Sequence, residues 1–174
     1  MKKEKKSPPR RAFGWREWVL FEGKNNHLRA KLDTGARTST IHAEEVELFE
    51  RDREEWVRFV VVDPEREGHE AETVSYECPV ERVARVRNAD GQTSERIVVL
   101  LSFWLGGEQT TAEFTLNSRH GMLNPVLLGR RAIRELGFVD VRRSFLMGND
   151  PRHHPDADVV GDEHDDSNDD EEDV

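Results

Sequence analysis

The chain has 174 residues, of which 36% are charged and 35% hydrophobic, and its formal net charge is −10. This length suits one domain of ordinary size. The longest apolar run, Ile97–Leu101, is far short of the roughly 20 residues that a membrane span needs. The lysine-rich start lacks the apolar stretch of a secretory signal, and the one cysteine, Cys78, excludes an internal disulfide. We therefore expect a cytoplasmic protein without a membrane segment.

The charge is concentrated at the two ends. Residues 1–11 carry a net +5 and residues 149–174 a net −11, which leaves −4 for residues 12–148. The acidic stretch has too few apolar side chains to offset the entropy of ordering it. We predict a disordered basic arm over 1–11, a folded domain over 12–148 and a disordered acidic tail over 149–174. The simplest role for the tail is solubility; binding a basic partner or inhibiting the chain's own site are alternatives.

The first half of the folded region is typical of short strands. Alternation and a Gly-Lys-Asn-Asn turn predict strands over Trp15–Glu22 and His27–Leu32. We predict a helical turn at Glu44–Glu50. Trp56–Val62 is rich in aromatic and β-branched residues, which predicts a further strand, and the charged residues 65–72 predict a loop.

The second half continues this pattern and adds one helix. Val80–Arg87 and Arg96–Leu105 flank an Asp-Gly turn, which predicts a hairpin, and a Gly-Gly turn leads to Thr110–Leu116. Helix formers over Arg130–Leu136, with a glycine after them, predict a short helix, and Phe138–Leu146 predicts a last strand. The chain is therefore expected to be mostly β, as a barrel or a sandwich.

Two short motifs stand out from this background. Asp33-Thr34-Gly35 ends an apolar strand and is followed by Ala36 and a run of Thr and Ser; taken alone, the triplet also fits a polar turn. The stretch Pro125–Leu136 contains an apolar strand, a Gly-Arg pair and the predicted helix. The glycine of that pair follows the aspartate by 96 positions.

With these residues the chain resembles the retropepsin-like aspartic peptidases, whose hallmarks are an apolar-Asp-Thr/Ser-Gly-Ala loop and an apolar-apolar-Gly-Arg turn into a helix. More closely, it resembles a bacterial group also described as ATP-dependent zinc proteases and associated with an ATP-grasp ligase that adds glutamates to a ribosomal protein. The shared stretches are KLDTGARTSTIHA, VRNADGQTSERIVV and VLLGRRAIRELGFVDV. The resemblance spans Trp15 to Leu146 and implies a closed β-barrel of the acid protease fold with one short C-terminal helix.

The resemblance implies an endopeptidase that uses Asp33, Thr34 and Gly35. Two carboxyl groups about 3 Å apart share one proton, so one acts as base and the other as acid. One such triplet per chain implies a homodimer with Asp33 of each copy at the two-fold axis. By the same resemblance, the Thr34 hydroxyl bonds across the axis, and Gly35 permits close approach of the backbone. A non-catalytic dimer that binds a peptide or a ligase is the alternative.

The hairpin Val83–Arg96, with its tip at 88–92, lies where the family has a flap over the substrate; an ordinary exposed hairpin is the alternative. The expected substrate-binding residues are Ala36, Arg37, Arg85, Arg87, Asn88, Gly91, Gly129 and Arg130.

One position departs from the family pattern. Retroviral enzymes have an acid two residues after the loop glycine, where it pairs with the Gly-Arg turn, and this chain has Arg37 there. Arg130 is therefore expected to find another carboxylate or to face the cleft. We hypothesise that Arg37, Arg85 and Arg87 form an electropositive cleft for acidic peptides; a surface arginine paired with a neighbouring glutamate is the alternative for Arg37.

The sequence gives little support for a metal or a nucleotide. It has no His-Glu-x-x-His motif and no cysteine cluster. His27, His42, His69 and His120 are scattered, and the His-His-Pro-Asp-Ala-Asp stretch from His153 lies in the predicted tail. Without a phosphate-binding Gly-Lys-Ser/Thr loop, any ATP dependence would belong to a partner. We therefore expect no metal and no cofactor. We also expect no nucleic-acid partner, because the basic arm is short and lacks interleaved aromatic residues.

Overall fold

A computed structural model of the chain describes residues 11–64, 70–87, 91–118 and 123–148. Its strands are β1 (Arg11–Gly14), β2 (Arg16–Phe21), β3 (His27–Asp33), β4 (Ser39–His42), β5 (Glu44–Arg51), β6 (Glu54–Asp63), β7 (Glu72–Arg87), β8 (Thr93–Leu105), β9 (Glu108–Asn117), β10 (Val126–Gly129) and β11 (Gly137–Asp140). Helix α1 spans Arg130–Leu136. The mostly-β prediction is confirmed.

Nine strands form one sheet in the order β2-β3-β10-β4-β9-β8-β7-β6-β5, and β2 also pairs with β8. The additional pairing, which places Leu20 opposite Trp104 and Phe21 opposite Phe103, joins six of these strands into a ring. Strands β7, β6 and β5 extend from that ring. Strands β1 and β11 form a separate parallel pair.

The core lies inside the ring, because alternate residues of each strand point inward. Phe21 is 2% exposed, and its ring centroid lies 5.4 Å from that of Phe114 and 5.8 Å from that of Phe103. Tyr76 of β7 stacks on Phe59 of β6 at 5.1 Å, which continues the core under the extension. Burial of such aromatic side chains is a principal source of stability in a sheet of short strands.

One secondary-structure prediction is wrong, and another is confirmed only at its start. Residues Glu44–Glu50 lie in strand β5 rather than a helical turn, since they pair with β6 and Phe49 lies opposite Trp56. The last strand stops at Asp140, whose side chain accepts a hydrogen bond from the Arg142 N–H and begins a turn. In both places a pairing or a local side-chain contact outweighs the propensity of the residues.

The remaining predictions divide between confirmed ones and ones outside the described residues. Strands β2, β3, β6, β8, β9 and β10 and helix α1 are confirmed, and β7 begins earlier than expected, at Glu72. The predicted loop over 65–72 lies largely outside the described residues, as do the acidic tail and residues 1–10 of the basic arm. Arg11, which the sequence placed in the arm, is the first residue of β1.

A buried carboxylate joins the start of the fold to its end. Glu17 is 0% exposed, and it accepts hydrogen bonds from the N–H groups of Gly14, Leu146 and Met147 at 2.7, 2.9 and 3.2 Å. Burial raises the pKa of Glu17, and the three N–H groups oppose that rise. The contact holds residues 146–147 against β2.

Candidate active site

The two sequence motifs meet because β3 and β10 are parallel neighbours. Their register places Leu128 opposite Leu32 and Gly129 opposite Asp33. Leu32 and Leu128 are buried in the core, which fixes the strands from which both motifs leave. The Asp-Thr-Gly loop and the Gly-Arg turn therefore lie side by side at one end of the ring.

The loop after β3 folds back onto the carboxylate that begins it. Oδ1 of Asp33 accepts hydrogen bonds from the N–H of Gly35 at 2.9 Å and from that of Ala36 at 3.1 Å. Its other oxygen, Oδ2, makes no hydrogen bond within the described part of the chain. The loop therefore fixes one carboxylate oxygen of Asp33 and leaves the other available to bind another group. The residue as a whole is half-buried.

Gly129 shapes the site by allowing two backbones to touch. A Cβ atom at this position would lie 2.5 Å from the carbonyl oxygen of Thr38 and 2.6 Å from its carbonyl carbon. The Gly129 N–H donates to Oγ of Ser39 at 3.1 Å, and this serine is 2% exposed. The structure thus gives Gly129 a packing role, and the sequence had not pointed to Thr38 or Ser39. The run of small hydroxyl residues after the triplet was the available signal.

The Arg130 side chain binds the backbone of the Asp33 loop. Its Nη1 donates to the carbonyl oxygens of Thr34 at 3.0 Å and Gly35 at 2.7 Å, rather than to a carboxylate. No carboxylate of the described residues forms an ion pair with Arg130, and its role in substrate binding stays a prediction. A guanidinium carries five N–H donors, so it can donate to several carbonyl oxygens at once. In this chain Arg37 stands where retroviral enzymes have an acid, and Arg130 donates to backbone carbonyls instead.

The predicted cationic residues lie on separate elements of the described part of the chain, and the electropositive cleft stays a prediction. Arg37 is exposed and makes no ion pair with a described residue, although its carbonyl accepts from the Arg131 N–H at 3.3 Å. Arg85 is on the β7–β8 hairpin, 78% exposed and paired with Glu95 at 3.3 Å. The side chain of Arg87, and Asn88, lie outside the described residues. Gly91 follows them and is exposed.

Among the described residues, no group of three or more His, Cys, Asp and Glu side chains is placed to hold a metal ion. In the same ranges there is no helix with the length and apolarity of a membrane span. The cellular compartment stays a prediction from the sequence.

A family model described as retropepsin-like aspartic endopeptidase RimB matches residues 12–150. The chain is 32% identical over 139 residues to a protein of Shewanella pealeana named probable alpha-L-glutamate ligase, and the match covers 78% of this chain and 30% of that protein. A protein of Parasynechococcus marenigrum with the same name is 33% identical over 137 residues, covering 78% and 29%. The chain thus spans about a third of the length of these relatives.

A solved structure supports the same relationship. The crystal structure of a Legionella pneumophila protein of unknown function matches with a TM-score of 0.64 and 32% identity, over 78% of this chain and 97% of that one. The fold and the sequence therefore point to one group of proteins.

The contact at Gly129 predicts the effect of adding one methyl group. We expect Gly129→Ala to lower the free energy of unfolding by about 1–3 kcal/mol, because the new Cβ would overlap backbone that cannot rotate away. For comparison, Gly35→Ala should lower the free energy of unfolding by less, since its Cβ position meets only one side-chain atom, Oδ1 of Asp33 at 3.1 Å, and no backbone. Urea unfolding measures both values. Equal effects of the two substitutions would contradict this account of Gly129.

Proposed function

Since the chain belongs to the RimB-like family of retropepsin-like aspartic endopeptidases, we propose that it hydrolyses peptide bonds with two Asp33 carboxylates, one from each of two copies. The fold is then the acid protease barrel that this family implies. The observation that carries the proposal is the geometry of Asp33, which has one oxygen fixed by Gly35 and Ala36 and the other available.

The chemistry follows from pairing two such carboxylates. Two carboxyl groups in contact cannot both ionise, so they hold one proton between them. The ionised one removes a proton from water, which attacks the peptide carbonyl, and the protonated one donates to the substrate. In this proposal Thr34 bonds across the two-fold axis, and Gly35 and Ala36 line the groove where the peptide lies. No metal takes part in these steps.

Features near Asp33 support a dimer. The N–H of Leu32, the residue before Asp33, donates to the carbonyl of Trp15, which directly follows β1. The β1–β11 pair therefore lies beside this end of the ring. There Phe138 is 53% exposed and Val141 is 73% exposed. Apolar side chains exposed next to an incomplete site favour burial against a second copy.

We further propose that the substrate is an acidic peptide. Arg37 follows the loop directly and has no ion-pair partner among the described residues. A guanidinium at this place favours a carboxylate of the substrate. The relatives named alpha-L-glutamate ligase point the same way, because a ligase that joins glutamates makes an acidic peptide. A ligase chain is then a natural partner.

The second candidate function is a non-catalytic dimer that binds an acidic peptide or a ligase. It is favoured by one observation, which is that the curated relatives carry the name of a ligase rather than of a peptidase. A shared fold does not guarantee activity. The two candidates differ in whether peptide is cleaved.

We expect Asp33→Asn to abolish peptide cleavage while leaving the fold intact, because an amide oxygen still accepts from Gly35 and Ala36 but cannot act as a base. The measurement is mass spectrometry of an acidic peptide library incubated with wild type and variant, with and without a chelator. Asp52→Asn, at an exposed turn, is the matched control and should cleave like the wild type.

Each outcome of this assay has one meaning. Cleavage that survives chelation and is lost in Asp33→Asn supports the aspartic mechanism. Peptide binding without cleavage by either protein supports the binding dimer. Cleavage that a chelator removes and zinc restores would contradict the proposal and indicate a metallohydrolase.

The substrate proposal has its own test. Arg37→Ala should reduce kcat/KM for acidic peptides by at least about tenfold while changing that for neutral peptides little, since one charge-assisted contact is lost. Arg134→Ala is the control, because Arg134 is 73% exposed on α1 and pairs with Glu135. An Arg37→Ala protein that keeps its full preference for acidic peptides would refute this role.

A further inference from the structure

One arginine contacts three consecutive carbonyl groups of the Asp33 loop. The Arg130 guanidinium donates to the carbonyl oxygens of Thr34 and Gly35, at 3.0 and 2.7 Å. The backbone N–H of Arg130 donates to the carbonyl oxygen of Ala36 at 2.8 Å. Every carbonyl between the aspartate and Arg37 is therefore held by the same residue.

The N–H ends of the same peptide groups point at Asp33. The carbonyl of Thr34 and the N–H of Gly35 belong to one peptide group, and the carbonyl of Gly35 and the N–H of Ala36 belong to the next. Both N–H groups donate to Oδ1 of Asp33, at 2.9 and 3.1 Å. Each peptide group thus links the positive guanidinium to the negative carboxylate. Hydrogen bonds in such a chain polarise and strengthen one another.

We propose that Arg130 is a positioning residue that acts on Asp33 through these two peptide groups, and that it does not bind substrate. It fixes the plane of each peptide so that both N–H groups point at Oδ1, which leaves Oδ2 for chemistry. The catalytic consequence rests on the proposed function, but the effect on the loop does not. This proposal differs from the role in substrate binding that the sequence predicted for Arg130.

The neighbouring arginine shows that the contact is specific. Arg131 lies next along α1, and its side chain approaches Glu113 at 3.7 Å instead of the loop. Glu113 also accepts a hydrogen bond from Nη2 of Arg82, at 2.8 Å from its Oε2, and this hydrogen bond lowers the pKa of the Glu113 carboxyl. Two adjacent cations therefore have separate tasks, and Arg131→Ala is a matched control for Arg130→Ala.

The first readout is amide hydrogen exchange at Gly35 and Ala36, measured by NMR on the full chain. Arg130→Ala should speed exchange at both amides by at least about tenfold, because a charged hydrogen-bond partner of each peptide is lost. Arg130→Lys keeps a cationic donor, so its exchange rates at these two amides should lie between those of the wild type and those of Arg130→Ala. Arg131→Ala should match the wild type. Thermal unfolding of each variant checks that the fold is retained, and Arg130→Lys alone suffices if Arg130→Ala does not fold.

The second readout is the kinetics of peptide cleavage. Arg130→Ala should lower kcat by at least about tenfold with KM changed less than about twofold, as expected for an interaction that acts on the reacting group. Unchanged exchange at Gly35 and Ala36 would overturn the inference, as would a raised KM with kcat retained. Faster exchange in a protein whose wild type cleaves no peptide would support the role of Arg130 in the loop and count against the proposed function alone.

Discussion

The parallel pairing of β3 with β10 is the constraint on which the rest of the site depends. It brings together two segments 96 positions apart and aligns Asp33 with Gly129. Because β10 lies between β3 and β4, the loop that joins those two strands must pass around the end of β10. The loop has room to do so only where a residue without a side chain lies beneath it, and Gly129 supplies that space under Thr38.

Once the loop is held there, its polar groups are satisfied from both sides. Asp33 accepts hydrogen bonds from the N–H groups of Gly35 and Ala36, and Arg130 donates to the carbonyls of Thr34, Gly35 and Ala36. The two peptide groups between Thr34 and Ala36 are therefore hydrogen-bonded at both ends. A carboxylate held in this way has one orientation. In the proposed dimer, the two-fold axis would repeat this rigid half-site, so one carboxylate per chain would supply the pair that the reaction needs.

Most of the elements could be predicted from the sequence because alternation and turn residues are local signals. The pair of motifs was equally visible, and the structure places them side by side. Strand β5 was not predictable, since Glu and Leu favour a helix locally and only the pairing of Phe49 with Trp56 makes the segment extended. The hydrogen-bond partners of Arg130 and the burial of Glu17 were not predicted from the sequence for the same reason. Both depend on residues about 95 to 130 positions away, and no local pattern reports them.

The central claim is that one active site needs Asp33 from two chains, and mixed dimers test it most directly. Wild type and Asp33→Asn would be combined in equal amounts, allowed to exchange subunits, and checked for mixed dimers by native mass spectrometry before peptide cleavage is measured. If the site is shared, cleavage per wild-type chain falls to about half, because only like-with-like wild-type dimers hold two carboxylates. Cleavage per wild-type chain that stays constant at every mixing ratio would contradict the account, since each chain would then carry a complete site.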